Sequence, residues 1–390
     1  MTGLERRGRS ILPGLPEVRS SFSGVTVRYY CCTFPSGYGS PTPPCVSTLS
    51  SRRCRSVSST STEYESEVKV VITGGAGFIG SNLAHRWVRR NPNDELLIVD
   101  ALTYAGHRES LRGLEGRRGY AFSKGDISDA SAMERALSGA ELVLNLAAET
   151  HNDRAIADPL PFVRTNVLGT AVLLETCRRQ DVARFHHVST DEVYGSLALD
   201  DPQRFTESSP YRPRGPYSAT KAASDHLVRA YYETYGLGVT ISNCGNNYGP
   251  FQDVEKLLPL AITRLLQGGS VPLYGDGKHV RDWIHVTDHC DAIDLIAHRG
   301  AVGSTYLISA ETELSNREIV LRLAKKFGKG EEVVRFVPDR LGHDRRYALD
   351  PRRLREDLEW RPRISIDQGL EDTVRWYREN PSWWSKLSGS

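Results

Sequence analysis

Tyr217 and Lys221 stand four residues apart in a stretch that reads as a helix, so their side chains share one helix face. A tyrosine with an ordinary pKa of about 10 is a poor base at neutral pH. A lysine one turn away favours the phenolate, which can then accept the proton of a substrate hydroxyl. Thr190 can hydrogen-bond the same hydroxyl. A Tyr-x-x-x-Lys pair is common in itself, so its meaning depends on the elements around it.

Asp191 and Glu192 are adjacent carboxylates that directly follow Thr190. A functional interpretation makes them an acid/base pair, one protonated and one ionised, as elimination next to a carbonyl requires. A structural interpretation places them on a solvated loop or at a helix N-terminus, where acids are favoured. Their spacing alone favours the structural interpretation.

A glycine-rich turn precedes these residues in the chain. Residues 68–72 read as a strand that runs into Gly74, Gly77 and Gly80, and residues 81–90 follow as a helix. One glycine allows the tight turn, one lets the backbone approach a pyrophosphate, and one lets the helix pack close to the sheet. The helix N-terminus offers free N–H groups to the phosphates. The arrangement predicts a dinucleotide site.

Asp100 ends the second predicted strand, residues 95–99, and lies twenty residues beyond Gly80. A carboxylate at this distance binds the ribose hydroxyls of NAD. Asp126 could reach the adenine, and Ala147 with Ala148 leaves room for the cofactor. The predicted cofactor-binding residues are Gly74, Gly77, Phe78, Ile79, Gly80, Asp100, Thr103, Asp126, Ile127, Ala147, Ala148, Tyr217 and Lys221.

Strands and helices alternate up to residue 242. The predicted strands are 68–72, 95–99, 120–122, 141–146, 185–188 and 239–242, with long helices at 162–179 and 217–235. This alternation predicts an α/β fold with a Rossmann-type doubly wound parallel sheet and the site along its carboxyl edge. Residues 68–242 would form the NAD-binding domain. Past Asn243 the alternation stops, which predicts a smaller mixed C-terminal substrate lobe over residues 243–390, with helices near 258–267, 316–327 and 366–377.

The composition is that of an ordinary soluble protein, with 390 residues, 39% of them hydrophobic, and a net charge of +2. Near-neutral charge gives no reason to expect nucleic acid or an anionic membrane as a partner. No apolar run approaches the roughly 20 residues that span a bilayer. Residues 1–67 are rich in Ser, Pro, Gly and Arg and are predicted to be disordered. They fit a transit peptide or translated sequence upstream of the true start. The cysteines show neither metal-ligand nor disulfide spacing, which favours a reducing, cytoplasmic compartment.

Several stretches together resemble one known family. They are TGGAGFIGSN (73–82), DALTYAG (100–106), NLAAETHNDRAI (145–156), HVSTDEVYGS (187–196), PYSATKAASDHLVRAYYETYGL (216–237), NCGNNYGPFQDVEKLLPL (243–260), PLYGDGKHVRDWIHVTDH (272–289) and GHDRRYALD (342–350). From Val68 to about Trp360 the chain is similar to the nucleoside-diphosphate-sugar 4,6-dehydratases, which are extended short-chain dehydrogenase/reductases. Members that act on dTDP-glucose match best. Asn152 is one of a few unusual residues, which bear more on the nucleotide base than on the reaction.

The resemblance implies the roles of the site residues. Tyr217 would be the base at the sugar C4 hydroxyl, with Thr190 and Lys221 assisting. Glu192 would remove the C5 proton and Asp191 would protonate the departing C6 hydroxyl. The implied substrate-binding residues are His151, Thr190, Asn246, Lys256, Leu257, Pro272, Tyr274, Arg281, Asn316, His343 and Tyr347. The cofactor would be NAD, no metal is expected, and the two long helices would pair into a homodimer, since both carry apolar residues on more than one face.

Three other functions are compatible with parts of this sequence pattern. A UDP-glucose 4,6-dehydratase would share every catalytic residue. UDP-sugar 4-epimerases share the fold, NAD and the Tyr–Lys pair but carry small residues in place of Asp191 and Glu192, so the acid pair argues against them. A non-catalytic protein on this fold would usually lose Tyr217 or Lys221, and this chain keeps both.

Overall fold

The structure is a computed structural model that describes residues 68–387. The leader predicted for residues 1–67 lies outside the described residues and stays a prediction. Within residues 68–387, no helix is both long enough and apolar enough to span a bilayer.

The strands form one large and two small sheets. They are β1 (Lys69–Thr73), β2 (Glu95–Asp100), β3 (Tyr120–Lys124), β4 (Leu142–Asn145), β5 (Arg184–Thr190), β6 (Val239–Cys244), β7 (Asn246–Tyr248), β8 (Val271–Tyr274), β9 (Val280–His285), β10 (Thr305–Ile308), β11 (Glu313–Ser315) and β12 (Val334–Val337). Seven of them form a parallel sheet in the order β10-β6-β5-β4-β1-β2-β3. The strand order reverses between β1 and β4, and a dinucleotide crevice is expected at that point. The predicted Rossmann-type sheet is therefore confirmed.

The helices lie between these strands. They are α1 (Phe78–Arg90), α2 (Ala130–Leu137), α3 (Asn152–Ala157), α4 (Leu160–Phe162), α5 (Thr170–Arg179), α6 (Pro216–Tyr235), α7 (Leu257–Leu266), α8 (Val286–Arg299), α9 (Asn316–Lys325), α10 (Arg352–Leu358), α11 (Ile366–Glu379) and α12 (Pro381–Trp384). The chain between α4 and α5, Val163–Gly169, is π-helical, so residues 160–179 are one helical run with a wider turn in its middle.

Alternating residues of β1 face two separate apolar layers. Val70 and Ile72 pack with α1 and α8 on one face of the sheet. Val71 packs on the other face, with α2, α5 and α6. Each strand is thus buried on both faces, which explains why the parallel strands read as continuous apolar runs.

The chain beyond residue 242 is shared between two regions. β10 and α8 join the seven-stranded sheet and its first apolar layer, and neither element was predicted. A further core gathers α7, α9 and α11 with the two-stranded pair of β8 and β12. The predicted division at residue 242 stays a prediction, but part of the predicted C-terminal lobe completes the sheet.

Candidate active site

The glycine turn leaves β1 in a conformation that a larger residue would strain. Gly74 has a φ of +69°, and a Cβ there would approach the Ala147 backbone nitrogen to 2.6 Å. A Cβ at Gly80 would meet the Gly74 carbonyl oxygen, so this glycine lets α1 pack against the turn. Within residues 68–387, no side chain caps the N-terminus of α1, which leaves its first amides for a ligand.

Asp100 is buried at the carboxyl end of β2, beside the glycine turn. Its carboxylate accepts hydrogen bonds from the backbone N–H of Ala76 (2.9 Å) and of Leu102 (2.8 Å). Burial raises the pKa of Asp100 in spite of these bonds. The carboxylate therefore ties the glycine turn to the loop after β2 and points into the cavity at the sheet edge.

One cavity along the carboxyl edge of the sheet contains every predicted cofactor-binding residue. Asp126 lies there with its Oδ1 accepting hydrogen bonds from the backbone N–H and the hydroxyl of Ser128, both at 2.8 Å. The cavity crosses the point where the strand order reverses, between β1 and β4. The open glycine turn, the uncapped helix and the buried Asp100 together fit a dinucleotide such as NAD.

The five predicted catalytic residues all line the same cavity. Thr190 is the last residue of β5, and its hydroxyl donates to Asp191 Oδ1 at 3.2 Å. Burial raises the pKa of Asp191 well above its ordinary value, and the neighbouring Glu192 charge adds to this effect. The second Asp191 oxygen is buried without a partner among the described residues. The environment therefore favours a protonated Asp191, as a general acid requires.

Tyr217 and Lys221 occupy one face of α6, as the spacing predicted. Burial raises the pKa of Tyr217 well above 10, and Glu192 adds to the shift, whereas Thr190 opposes it through a hydrogen bond. Burial lowers the pKa of Lys221 to about 8. Its ammonium donates to the Val188 carbonyl oxygen at 2.8 Å and lies 3.3 Å from His187 Nε2. Tyr217 thus needs a nearby positive charge to act as a base.

A second cavity adjoins the first, and Glu192, Asn246 and Lys256 line both of them. It contains all the predicted substrate-binding residues other than Thr190, which lines the first cavity. Arg281 is buried over the Tyr347 ring, with 4.4 Å from its guanidinium carbon to the ring centroid. It donates to the carbonyl oxygens of Val280 and Asp344, so these backbone groups fix the guanidinium in the cavity wall.

Two histidines of the second cavity are neutral at physiological pH. Burial lowers the pKa of His343 to about 3, and its Nδ1 lies 2.6 Å from Asp339 Oδ1. Burial likewise lowers the pKa of His151 to about 4. His151 Nδ1 accepts the Arg154 N–H at 3.4 Å and so caps α3. Both imidazoles can hydrogen-bond a sugar nucleotide without adding charge.

Sequence reasoning missed the contacts of two asparagines with residues of the site. Asn166, in the π-helical turn, exchanges hydrogen bonds with the Glu149 backbone and donates to the Thr220 hydroxyl at 2.9 Å. Asn152 donates to Glu192 Oε2 at 3.2 Å. Each of these side chains contacts residues 17 to 54 positions away in the chain, so sequence spacing held no signal for the contacts.

The fold and this site define an extended short-chain dehydrogenase/reductase with an additional acid pair. The chain matches the family described as GDP-mannose 4,6 dehydratase over residues 71–373. It therefore belongs to that family of nucleotide-sugar dehydratases.

Individual relatives indicate which enzymes of the family this chain is similar to in sequence. The dTDP-glucose 4,6-dehydratase of Mycobacterium tuberculosis is 50% identical over 321 residues, which cover 82% of this chain and 96% of that enzyme. The enzyme of the same name from Xanthomonas campestris pv. campestris is 47% identical over 333 residues, or 80% of this chain and 94% of the relative.

Solved structures agree with these relatives. The dTDP-glucose 4,6-dehydratase of Streptomyces venezuelae, solved with NAD and dTDP, superposes with a TM-score of 0.80 at 47% identity. The match covers 82% of this chain and all of that one. The UDP-glucose 4-epimerase of Thermus thermophilus, in complex with NAD, has a TM-score of 0.73 at 31% identity, over 80% of this chain and all of that one.

Proposed function

We propose that the protein is a hydro-lyase that converts dTDP-glucose to dTDP-4-keto-6-deoxyglucose and so supplies deoxysugar biosynthesis. The observation that carries the proposal is the environment of the acid pair. Asp191 is buried and its pKa is raised, while Glu192 accepts a hydrogen bond from Asn152. An enzyme that only oxidises and reduces C4 needs neither group, whereas loss of water across C5 and C6 needs one acid and one base.

The side chains divide the reaction into proton transfers. Tyr217 takes the proton of the C4 hydroxyl, and the charge of Lys221 stabilises the phenolate that does so. The resulting C4 ketone acidifies the C5 proton, which Glu192 removes. Asp191 donates its proton to the C6 hydroxyl, which leaves as water. The C5–C6 double bond that remains gains a hydride at C6 and a proton at C5, the proton coming from Glu192 after exchange with solvent.

NAD is the cofactor that the first cavity fits. When bound, it supplies a hydride acceptor that is reduced at the oxidation of C4 and reoxidised at C6, so no external reductant is consumed. Gly74, Gly77 and Gly80 would hold its pyrophosphate, and Asp100 its ribose hydroxyls. The remaining predicted cofactor-binding residues line the same cavity.

The second cavity would hold the nucleotide diphosphate of the substrate. Arg281 keeps a planar cation at its wall, and Arg340 lines the same space. A guanidinium group can donate two parallel hydrogen bonds to two oxygens of one phosphate. Asn246 and Lys256, which line both cavities, and His151, which lines the second, would contact the sugar near Glu192.

A homodimer is part of the proposal. Leu160, Val163 and Leu168 lie on the helical run that precedes and includes the π-helical turn, and they are 72%, 46% and 52% exposed. Leu173 and Val228, on the same two long helices, are fully buried in the apolar layer against the sheet. The exposed apolar residues of the run favour a partner helix. A cytoplasmic location is supported by the free, buried thiols of Cys177, Cys244 and Cys290.

A substrate panel with isotopic labels tests the proposed function. With dTDP-glucose deuterated at C4, we expect the label at C6 of the product, and in heavy water C5 should gain one solvent deuteron. A 4-epimerase would keep the deuterium at C4. Loss of water from UDP-glucose in place of dTDP-glucose would assign the other nucleotide base.

A further inference from the structure

Asp225 continues the stripe of side chains that Tyr217 and Lys221 begin on α6. It lies one turn beyond Lys221, at a spacing of four residues, and it is completely buried. Its Oδ2 accepts hydrogen bonds from the Tyr211 hydroxyl (2.7 Å) and the Asn243 amide (3.0 Å). Asp225 Oδ1 has no hydrogen-bond partner among the described residues. A buried carboxylate with one unpaired oxygen is costly unless a positive charge lies close.

The imidazole of His187, on β5, stands between Asp225 and Lys221. Its Nε2 lies 3.5 Å from Asp225 Oδ1 and 3.3 Å from Lys221 Nζ. Its Nδ1 lies 3.1 Å from the Asn145 amide nitrogen and accepts its N–H, which leaves the proton on Nε2, where the Ser224 hydroxyl oxygen at 3.2 Å accepts it. Burial and Lys221 hold the pKa of His187 well below its ordinary value, so the ring is neutral. The ring separates two charges that would otherwise meet.

The other groups around the ammonium carry no compensating charge. Burial raises the pKa of the Cys244 thiol on β6, so this thiol is neutral. Tyr217 is a neutral phenol until it releases its proton, and the carboxyl groups of Asp191 and Glu192 lie beyond it, in the turn after β5. Arg229, farther along α6, contacts the Tyr211 hydroxyl at 2.7 Å and also interacts electrostatically with the Asp225 carboxylate.

We propose that Asp225 is the counter-ion that keeps Lys221 charged, and that His187 is the spacer that prevents the two from forming a direct salt bridge. A lysine and an aspartate four residues apart on a helix would pair readily. Such a pair would draw the ammonium away from Tyr217. With the imidazole between them, the field of the carboxylate still favours the ammonium, which donates one N–H to the Val188 carbonyl oxygen and has no direct bond to the carboxylate that would turn it from Tyr217. Asp225 and His187 are thus positioning residues for the role proposed above for Lys221, on which this inference rests.

The proposal predicts opposite effects of two substitutions on the pH profile of kcat/KM for dTDP-glucose. Activity needs a charged Lys221, so it falls as pH rises through the pKa of this lysine. Asp225→Asn removes the negative charge and so lowers the pKa of Lys221. The alkaline limb of the profile therefore shifts to lower pH by on the order of one pH unit. His187→Ala opens the space for a direct salt bridge between Lys221 and Asp225. The alkaline limb then shifts to higher pH, and kcat is lower at every pH because the ammonium is drawn away from Tyr217.

Tyr211→Phe is the matched control, because it removes a hydrogen bond to the same carboxylate and keeps its charge. We expect its alkaline limb at the wild-type position. If the alkaline limb of Asp225→Asn stays at the wild-type pH, Asp225 is not the counter-ion of Lys221. If the alkaline limb of His187→Ala shifts to lower pH, the imidazole itself keeps the lysine charged, which contradicts its role as a spacer. If Asp225→Asn fails to fold, the His187→Ala profile still decides. A wild-type protein that does not dehydrate dTDP-glucose at any pH would instead refute the proposed function.

Discussion

Asn152 donates a hydrogen bond from its side-chain amide to the carboxylate of Glu192, with 3.2 Å between Nδ2 and Oε2. Asn152 is the first residue of α3, and the preceding His151 caps this helix, so the amide is held by ordered backbone. The bond fixes the orientation of the proposed C5 base from outside the turn after β5 that carries it. It also gives a function to a residue that is unusual against the family pattern.

Removal of this donor should slow the reaction without weakening substrate binding. For Asn152→Val we expect kcat to fall by about tenfold to a hundredfold, the loss of one hydrogen bond to a charged group, with KM nearly unchanged. Asn152→Ser, which keeps a short donor, should retain more of the activity. Steady-state kinetics on dTDP-glucose with both variants measures the split. An unchanged kcat, or a loss confined to KM, would contradict the role.

Asp100 should select NAD over NADP. A 2′-phosphate would lie against its carboxylate, and like charges in a partly buried site repel strongly. Asp100→Asn should weaken NAD binding and narrow the difference between the two cofactors, and titration calorimetry measures both affinities. Asp129→Asn is a suitable control, because Asp129 caps α2 and does not line the cavity. Equal affinities of the wild-type protein for both cofactors would refute this prediction.

The first half of the fold followed directly from the sequence. β-branched runs that end in glycine or small residues placed β1 to β6 within a few residues, because parallel strands buried on both faces have a strong apolar signal. β10 was missed because it is short and lies past residue 242, where the alternation of strands and helices stops, and α8 because Asp288, Asp291 and Asp294 interrupt its apolar pattern. Both elements join the sheet through contacts distant in the chain.

The site divides in the same way. The spacing of Tyr217 and Lys221 and of the glycines is local, so the sequence predicts it. The contact of Asn152 with Glu192 spans 40 residues, and the contact of His187 with Lys221 spans 34. Such contacts exist only once the strands are assembled. Asp225 did have a local signal, its position one turn beyond Lys221, but a lone acid on a helix is more often a solvated residue.

The exposed apolar residues of the run at 160–179 should hold two copies together. Leu160 is 72% exposed and Leu168 is 52% exposed, and charge at either position would be buried on pairing. We expect the Leu160→Asp, Leu168→Asp double variant to be monomeric by light scattering at micromolar concentration, where the wild-type protein is dimeric. Leu199→Asp, at another exposed leucine, should leave the mass unchanged. A monomeric wild-type protein would refute the proposed dimer.

We expect the Asp191 carboxyl group to lower the free energy of unfolding at neutral and alkaline pH. Burial raises the pKa of its carboxyl in the folded state, so the native protein holds this proton more tightly than the unfolded chain does. The carboxyl group therefore favours folding fully only below the unfolded pKa of about 3.9, and the advantage is lost as pH rises through the native pKa. An asparagine has the same shape and no proton to lose.

Asp191→Asn should accordingly raise the melting temperature at pH 8 and change it little at pH 4, as differential scanning calorimetry would show. The same variant lacks the proton for the C6 hydroxyl, so oxidation at C4 should survive while elimination slows by about 10²–10⁴-fold. The absorbance of reduced nicotinamide should then build up during turnover. Glu359→Gln is a control for the charge change, since Glu359 ends α10 away from both cavities. A melting temperature that falls at pH 8 would contradict the native pKa, because an acid destabilised by its burial can only gain from losing its charge. If this one substitution raises the melting temperature and also slows elimination, Asp191 serves the reaction at the expense of stability.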